Sequence, residues 1–278
     1  MIPVIPTFLA FAEAGEEEPA VPFPPAENLV EWPAFLFEDS PIEFNKIALI
    51  GVIAMIVPVV IFMRARGGSA DKPSKIRVFA EGIVNFVEEQ IAKPAIGHGY
   101  EPYMPLLVTL FLFISIGNMF EVIPFFNMPM NARMAAPLVM TLSVFVLFIA
   151  VGVKNHGFGY FKDIVWPSYV PAAMRPLVGF IEFFSVFIAR PLSHSVRLFA
   201  NMLAGHILLV TFGVLTIGTF GKLFDGLTGF IVQPFAWLGS FAGLVAFTGY
   251  EIGVSIIQGF IFAILAAVYI GSSLHPAH

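Results

Sequence analysis

The sequence predicts an all-α integral membrane protein: about five transmembrane helices, one interfacial amphipathic helix, and a long tilted hairpin formed by the last two spans. Three observations predict it. First, 58% of the 278 residues are hydrophobic and only 12% are charged, against about 25% charged in an ordinary soluble domain. So little charge cannot cover a globular surface, and the mean hydropathy of +0.87 requires apolar side chains to face lipid. Second, uncharged apolar runs recur at lengths suited to crossing ~30 Å of hydrocarbon. Third, the C-terminal hundred residues hold two such runs, each far longer than one upright crossing needs. The net charge of −5 gives no basic face for nucleic acid. With no cysteine, disulfides, zinc-thiolate sites and iron–sulfur clusters are excluded.

Residues 1–43 form an acidic, proline-rich stretch, from Glu13 through Glu16, Glu17 and Glu18 to Glu43, interrupted by Pro19, Pro22, Pro24, Pro25 and Pro33. This reads as a solvated external tail. Met1–Ala12 is apolar but lacks the positive start of a signal peptide. Residues 44–278 read as one membrane domain. Its first span is 44–63, with Pro58 as an expected kink. Residues 74–97 place Ile76, Phe79, Ala80, Ile83, Val84, Val87 and Ile91 on one stripe with charges opposite. That is the pattern of a helix lying on the membrane, with Pro94 expected to end it.

The second span is 104–122 and the third 134–153, joined by a short connection carrying Pro124, Asn127 and Pro129. Residues 154–175 read as a polar loop, and Pro176 opens the next helix. Residues 176–221 and 226–274 follow, separated by a turn at Lys222–Gly226. As single helices each would be roughly 70 Å long, over twice the hydrocarbon thickness. No good turn interrupts the first, which favours the tilted hairpin over four upright spans.

Lys and Arg placement predicts orientation. Nine fall on one side (Arg64, Arg66, Lys72, Lys75, Arg77, Lys93, Lys154, Lys162 and Arg175) and three on the other (Lys46, Arg133 and Lys222). The N-terminus is then outside and the C-terminus cytoplasmic.

Polar residues within spans are costly and therefore informative. Arg197 lies deep in an apolar run, about 24 residues before the Lys222–Gly226 turn. A mid-membrane arginine costs from about 3 to above 10 kcal/mol. Snorkelling or a structural ion pair is the plain alternative to a functional role. Arginine does not release its proton, so beside a proton path it acts as a gate: it favours the ionised form of a partner's carboxylate and repels a passing proton. Asn201, one turn on, shares its face. His206 lies nine residues on, and histidine is the residue type suited to passing protons near neutral pH. Glu251, Ser255 and Gln258 share one face of the last helix. Arg197 and Gln258 sum to 455, His206 and Glu251 to 457, so one fold point near 227–228 puts both pairs at matching depths. His206 and Glu251 read equally as a mutually satisfied structural pair. Asn118 and Glu121 add polar groups near the outer end of the second span, where Glu121 also reads as a span-end residue. His194 and Glu182 are weaker candidates. No metal or cofactor site is expected.

The segment Arg190-Pro191…Arg197-Leu-Phe-Ala-Asn-Met202…Ala204-Gly205 resembles the signature around the essential arginine of subunit a of bacterial ATP synthases. Gln258–Tyr269 is similar to that family's C-terminal helix, and Asn118-Met-Phe-Glu-Val-Ile-Pro124 and Thr141-Leu-Ser143 to its earlier spans. The resemblance covers roughly residues 42–271. It departs in Ala200, where many members have glycine. His206 and Glu251 also stand where some members carry the same two side chains exchanged.

The resemblance implies two offset half-channels ending at a ring of c subunits. A proton would enter past Glu121, His206 and Glu251, neutralise a ring carboxylate, ride the rotation and leave on the other side, with Arg197 between the two paths. It implies a non-catalytic subunit of the bacterial plasma membrane, with peripheral-stalk b subunits and the rest of the complex as further partners. The alternative is a proton-coupled secondary transporter, which would place broken helices in two related halves; no such repeat is visible. A membrane metalloprotease is disfavoured because no H-E-x-x-H occurs.

Overall fold

The computed structural model describes residues 45–67, 73–123, 125–166, 170–223 and 226–274. The acidic tail 1–43 therefore lies outside the described residues. Those residues build nine α-helices, with no strand among them: α1 Lys46–Ala65, α2 Lys75–Val87, α3 Lys93–Ile96, α4 Met104–Met119, α5 Ala135–His156, α6 Gly159–Val165, α7 Arg175–Phe184, α8 Arg190–Gly221 and α9 Gly226–Leu274. Five helical stretches among them are long and apolar enough to cross a membrane: 46–65, 101–119, 135–156, 175–221 and 229–274.

Local chemistry sets the helix ends. The Asn45 side chain accepts the Ala48 N–H at 3.0 Å and starts α1, satisfying a donor that the first turn leaves open. Ser74 does the same for α2 through the Arg77 N–H at 3.2 Å. Pro58 lies inside α1, which continues through it. Pro94 does not end the amphipathic helix. A π turn at Glu88–Ala92 joins α2 to α3, and the helix stops only at Gly97, whose φ is +76°. Proline clashes with the carbonyl four residues back, here Gln90. The wide turn opens the backbone at that carbonyl, so the chain stays helical past Pro94. The same device recurs before Pro191, where the π turn Ser185–Ala189 joins α7 to α8 and contains Phe187.

Residues 154–175 are not simply a loop. α6 lies within them, held by Tyr160, which is 7% exposed, packs on the backbone at Gly152 and shares a 3.1 Å hydrogen bond with Ser273. The connection between α4 and α5 is also more than a surface turn. Met128, Met130, Asn131 and Ala132 are buried in it, and Met128 and Met130 cluster with Ile50 of α1.

By their contacts the described residues form two units, 45–204 with 251–274, and 205–250. The first has one core, including Ile91, Leu107, Ile114, Phe148, Met202, Phe262 and Ile270. α9 approaches closely there: a Cβ on Gly259 would strike the Ser115 hydroxyl and the Phe111 carbonyl, and one on Gly271 the Ala95 carbonyl. Small residues let helix backbones meet this way in membranes. In the second unit α8 and α9 run antiparallel. Phe212 stacks on Phe247 with ring centroids 4.9 Å apart, and Thr219 lies 3.5 Å from Ser240. Apolar side chains that cover no core, such as Met63, Leu177, Phe180, Phe230 and Phe235, suit contact with hydrocarbon.

Candidate functional site

The amphipathic split of α8 decides which of its polar residues point inward. Within the larger unit, His194, Ser195, Leu198 and Met202 are buried, whereas Ser193, Arg197, Ala200 and Ala204 are exposed. The exposed four follow the i, i+4, i+7, i+11 spacing of one helix face. Arg197 therefore stands on a stripe of small side chains and makes no salt bridge or side-chain hydrogen bond among the described residues. Asn201, one turn on, is half-buried. One turn back on the inward side, the His194 ring lies edge-on to Phe262, 4.0 Å between centroids. Both its nitrogens are buried without a hydrogen-bond partner. Arg190 sits 5.4 Å above the Tyr269 ring, a cation–π arrangement. Glu182 is half-buried on α7, before the π turn.

These contacts fix the register of α8 against α9 within this unit. Arg190 with Tyr269 and His194 with Phe262 sum to 459 and 456. The contacts of the other unit, Phe212 with Phe247 and Phe220 with Trp237, sum to 459 and 457. Arg197 and Gln258, at 455, fit the same antiparallel register.

Facing inward from α9, Glu251, Ser255 and Gln258 are 1%, 0% and 6% exposed. From α4 come Ser115 and Asn118, and from the turn just after it Glu121, at 5%, 0% and 0%. The structure brings these two sets together, because Ser115 meets α9 at Gly259. The α4–α5 connection adds Asn131, whose amide donates to the Asn118 side-chain oxygen at 2.7 Å, and α5 adds buried Thr141. Glu121 follows α4 by two residues and is nonetheless buried. Within this cluster Ser115 Oγ, Asn118 Nδ2, Asn131 Oδ1, Thr141 Oγ1, Ser255 Oγ and one Glu251 oxygen lack a protein partner. Buried polar atoms are rarely left unsatisfied; groups of this kind are served by internal water.

His206 is buried as well, 3% exposed, and belongs to the 205–250 unit. Glu251 belongs to the other. Sequence reasoning missed Ser115 and Asn131 as members of the polar cluster, and used Thr141 only as part of a resemblance. One signal was available: Ser115, Asn118 and Glu121 repeat every three residues at the end of a largely apolar run. Asn131 offers none, because only the folded connection turns it inward. Among the described residues no cluster of three or more His, Cys, Asp or Glu side chains is placed to hold a metal ion.

Residues 47–271 match the family model described as ATP synthase A chain. The chain is 36% identical to ATP synthase subunit a of Maricaulis maris over 243 residues, covering 84% of this chain and 90% of that protein. It is 32% identical to the subunit a of Pseudarthrobacter chlorophenolicus over 258 residues, 91% and 93% of the two chains. With that of Rhodopseudomonas palustris strain BisA53 the identity is 39% over 215 residues, 76% and 82% of the two.

Proposed function

The chain belongs to the ATP synthase A chain family, and we propose that it is the stator subunit that passes protons through two half-channels against a rotating ring of c subunits. One observation carries the reading: Arg197 is exposed, has no ionic partner among the described residues, and is flanked on its face by Ser193, Ala200 and Ala204. A guanidinium facing hydrocarbon costs from about 3 to above 10 kcal/mol. A carboxylate on another chain removes that cost, and small neighbours let its helix approach closely. Snorkelling is not a good answer at this position. The helix runs on as α8 to Gly221, so Arg197 is far from that end.

The chemistry then follows from groups in this chain. Arg197 stays charged at every accessible pH. It stabilises an ionised ring carboxylate opposite it and forces a protonated one to release its proton before passing. On the entry side, Asn118, Glu121, Ser255 and Glu251 line a buried polar interior, and the unsatisfied atoms of Asn118, Ser255 and Glu251 there suit a chain of water and protons. Gln258, buried on α9 beside this cluster, extends the path, and the sequence resemblance adds His206 to it. Ser115, Asn131 and Thr141 hold or complete it. A charge crossing 100 mV gains about 2.3 kcal/mol, so several protons are summed by rotation for each ATP. The subunit itself carries out no bond chemistry. The ring and the peripheral-stalk b subunits are its partners, and the Lys and Arg distribution supports an outside N-terminus and a cytoplasmic C-terminus in a bacterial plasma membrane.

Isolation of the tagged chain from native membranes tests the reading. A small, acid-bearing helical-hairpin protein and the nucleotide-hydrolysing subunits should come with it. A chain that purifies alone and moves a solute when reconstituted is a secondary transporter instead.

A further inference from the structure

We propose that the groove enclosed by α1, α2 and α4 binds one anionic phospholipid, with Arg66 as the anchor for its phosphate. The proposal concerns a different part of the molecule from the proton path and does not rest on it. The groove measures about 750 Å³ and lies within the larger unit, in the size range of sites that hold a small ligand. Phe62 of α1, Val84 of α2 and Val108 of α4 line its apolar side, and Arg66, Arg77 and Glu81 its polar side. This is the division a phospholipid needs, with acyl carbons against the first set and a phosphodiester against the second.

The groove also lies at the correct depth. α1 is apolar until its last turn and then presents Arg64 and Arg66. α2 exposes the apolar side chains Ile76 and Phe79 beside its charged ones, as a helix at the polar–apolar boundary does. The charges select the ligand. The Arg77 Nε–H is taken by Glu81 at 2.8 Å, which leaves that arginine's remaining donors for another acceptor. Arg66 makes no salt bridge or side-chain hydrogen bond among the described residues. With Arg77 paired to Glu81, the polar side of the groove carries one net positive charge, which a zwitterionic head group would not neutralise. A head group with a net negative charge would. Free phosphate would leave the apolar wall unused.

A second, smaller groove across α1 repeats the arrangement independently. It measures about 260 Å³ and sets Arg64 and Lys75 over Val60, Ile76 and Phe79. Two neighbouring grooves, each pairing a cation from the end of α1 with one from the first turn of α2, point to recognition of an anionic head group rather than to scattered surface charge.

Photo-crosslinking tests the proposal. The assembled complex is placed in phosphatidylcholine bilayers doped with photoreactive phosphatidylglycerol or, in parallel, photoreactive phosphatidylcholine, and labelled peptides are mapped by mass spectrometry. A basic residue near an anionic surface contributes about fivefold in affinity. Labelling within 62–109 should therefore favour phosphatidylglycerol by at least about fivefold. Arg66→Gln should remove most of that preference and Arg66→Lys should keep it. Because Arg66 ends α1 and is exposed, neither change disturbs the core, and peptide maps of the other helices report assembly. Equal labelling by the two lipids, or a preference unchanged by Arg66→Gln, overturns the proposal. Competition by inorganic phosphate would make this a free-anion site and overturn it too. A crosslink from this groove to another polypeptide would show a protein helix as the occupant and would do the same.

Discussion

Adding one methyl group at Gly259 tests whether the contact of α9 with α4 positions the proton path. A Cβ there would overlap two atoms of α4, the Ser115 hydroxyl oxygen and the Phe111 carbonyl oxygen. The carbonyl is backbone and cannot rotate away, so α9 must shift. Overpacking of this kind costs about 1–3 kcal/mol, equivalent to roughly 5- to 150-fold in a rate if all of it is expressed in the transition state. Gln258 is the adjacent residue and Ser255 is one turn away, so the shift lands on the path itself. A displacement near 1 Å at a reacting site is worth on the order of 10²-fold. Gly259→Ala should therefore lower ATP-driven proton pumping in inverted membrane vesicles by one to two orders of magnitude, with the complex still assembled. Ser115→Gly removes one of the two obstacles. In the double variant it should restore part of the loss, giving a coupling of about 0.5–1.5 kcal/mol. Normal pumping by Gly259→Ala, or strict additivity with Ser115→Gly, would refute the reasoning.

The sequence pairs His206 with Glu251 about one fold point, so the two single alanine variants and the double should be strongly non-additive in proton-driven ATP synthesis; additive losses would assign them to separate paths. On the polar surface, the Tyr100 hydroxyl donates to Glu88 at 2.6 Å and Lys93 stands 3.1 Å from the same carboxylate. Tyr100 first and Lys93 second hold the Glu88 carboxyl below the usual glutamate range. A depressed carboxylate favours the folded state above its unfolded pKa, and that contribution fades as pH falls through the folded one. Tyr100→Phe should then move the Glu88 titration upward in carboxyl-labelled NMR spectra. An unmoved titration would mean the hydrogen bond does not persist in solution. The exposure of these groups keeps the effect on overall stability small.

Much of the architecture is legible before folding because lipid imposes it. The length of 226–274 without a turn signal predicts α9, and the stripe from Ile76 to Ile91 predicts α2. The fold point near 227–228 anticipates the register later seen in the His194–Phe262 and Phe212–Phe247 contacts. What escapes the sequence depends on tertiary or local backbone adjustment. Pro94 carries a stop signal that a π turn overrides. α6 is a seven-residue helix too short for a periodic pattern, and tertiary contacts of Tyr160 hold it. Arg197 is conspicuous in sequence as a charge in an apolar run, yet its exposure is visible only once His194, Leu198 and Met202 are seen to fill the inward side of α8. Asn131 looks like an ordinary connection residue, and its burial against Asn118 arises because the connection folds back into the protein.

The most direct test concerns Arg197, the exposed cation of α8 that has no ionic partner among the described residues. Proton-driven ATP synthesis is measured in membrane vesicles carrying Arg197→Gln, with the amount of assembled complex quantified in the same preparation. Loss of synthesis at normal assembly is predicted, because a neutral amide cannot drive a ring carboxylate to give up its proton. Synthesis at the unsubstituted rate would contradict the account, whatever the remaining residues contribute.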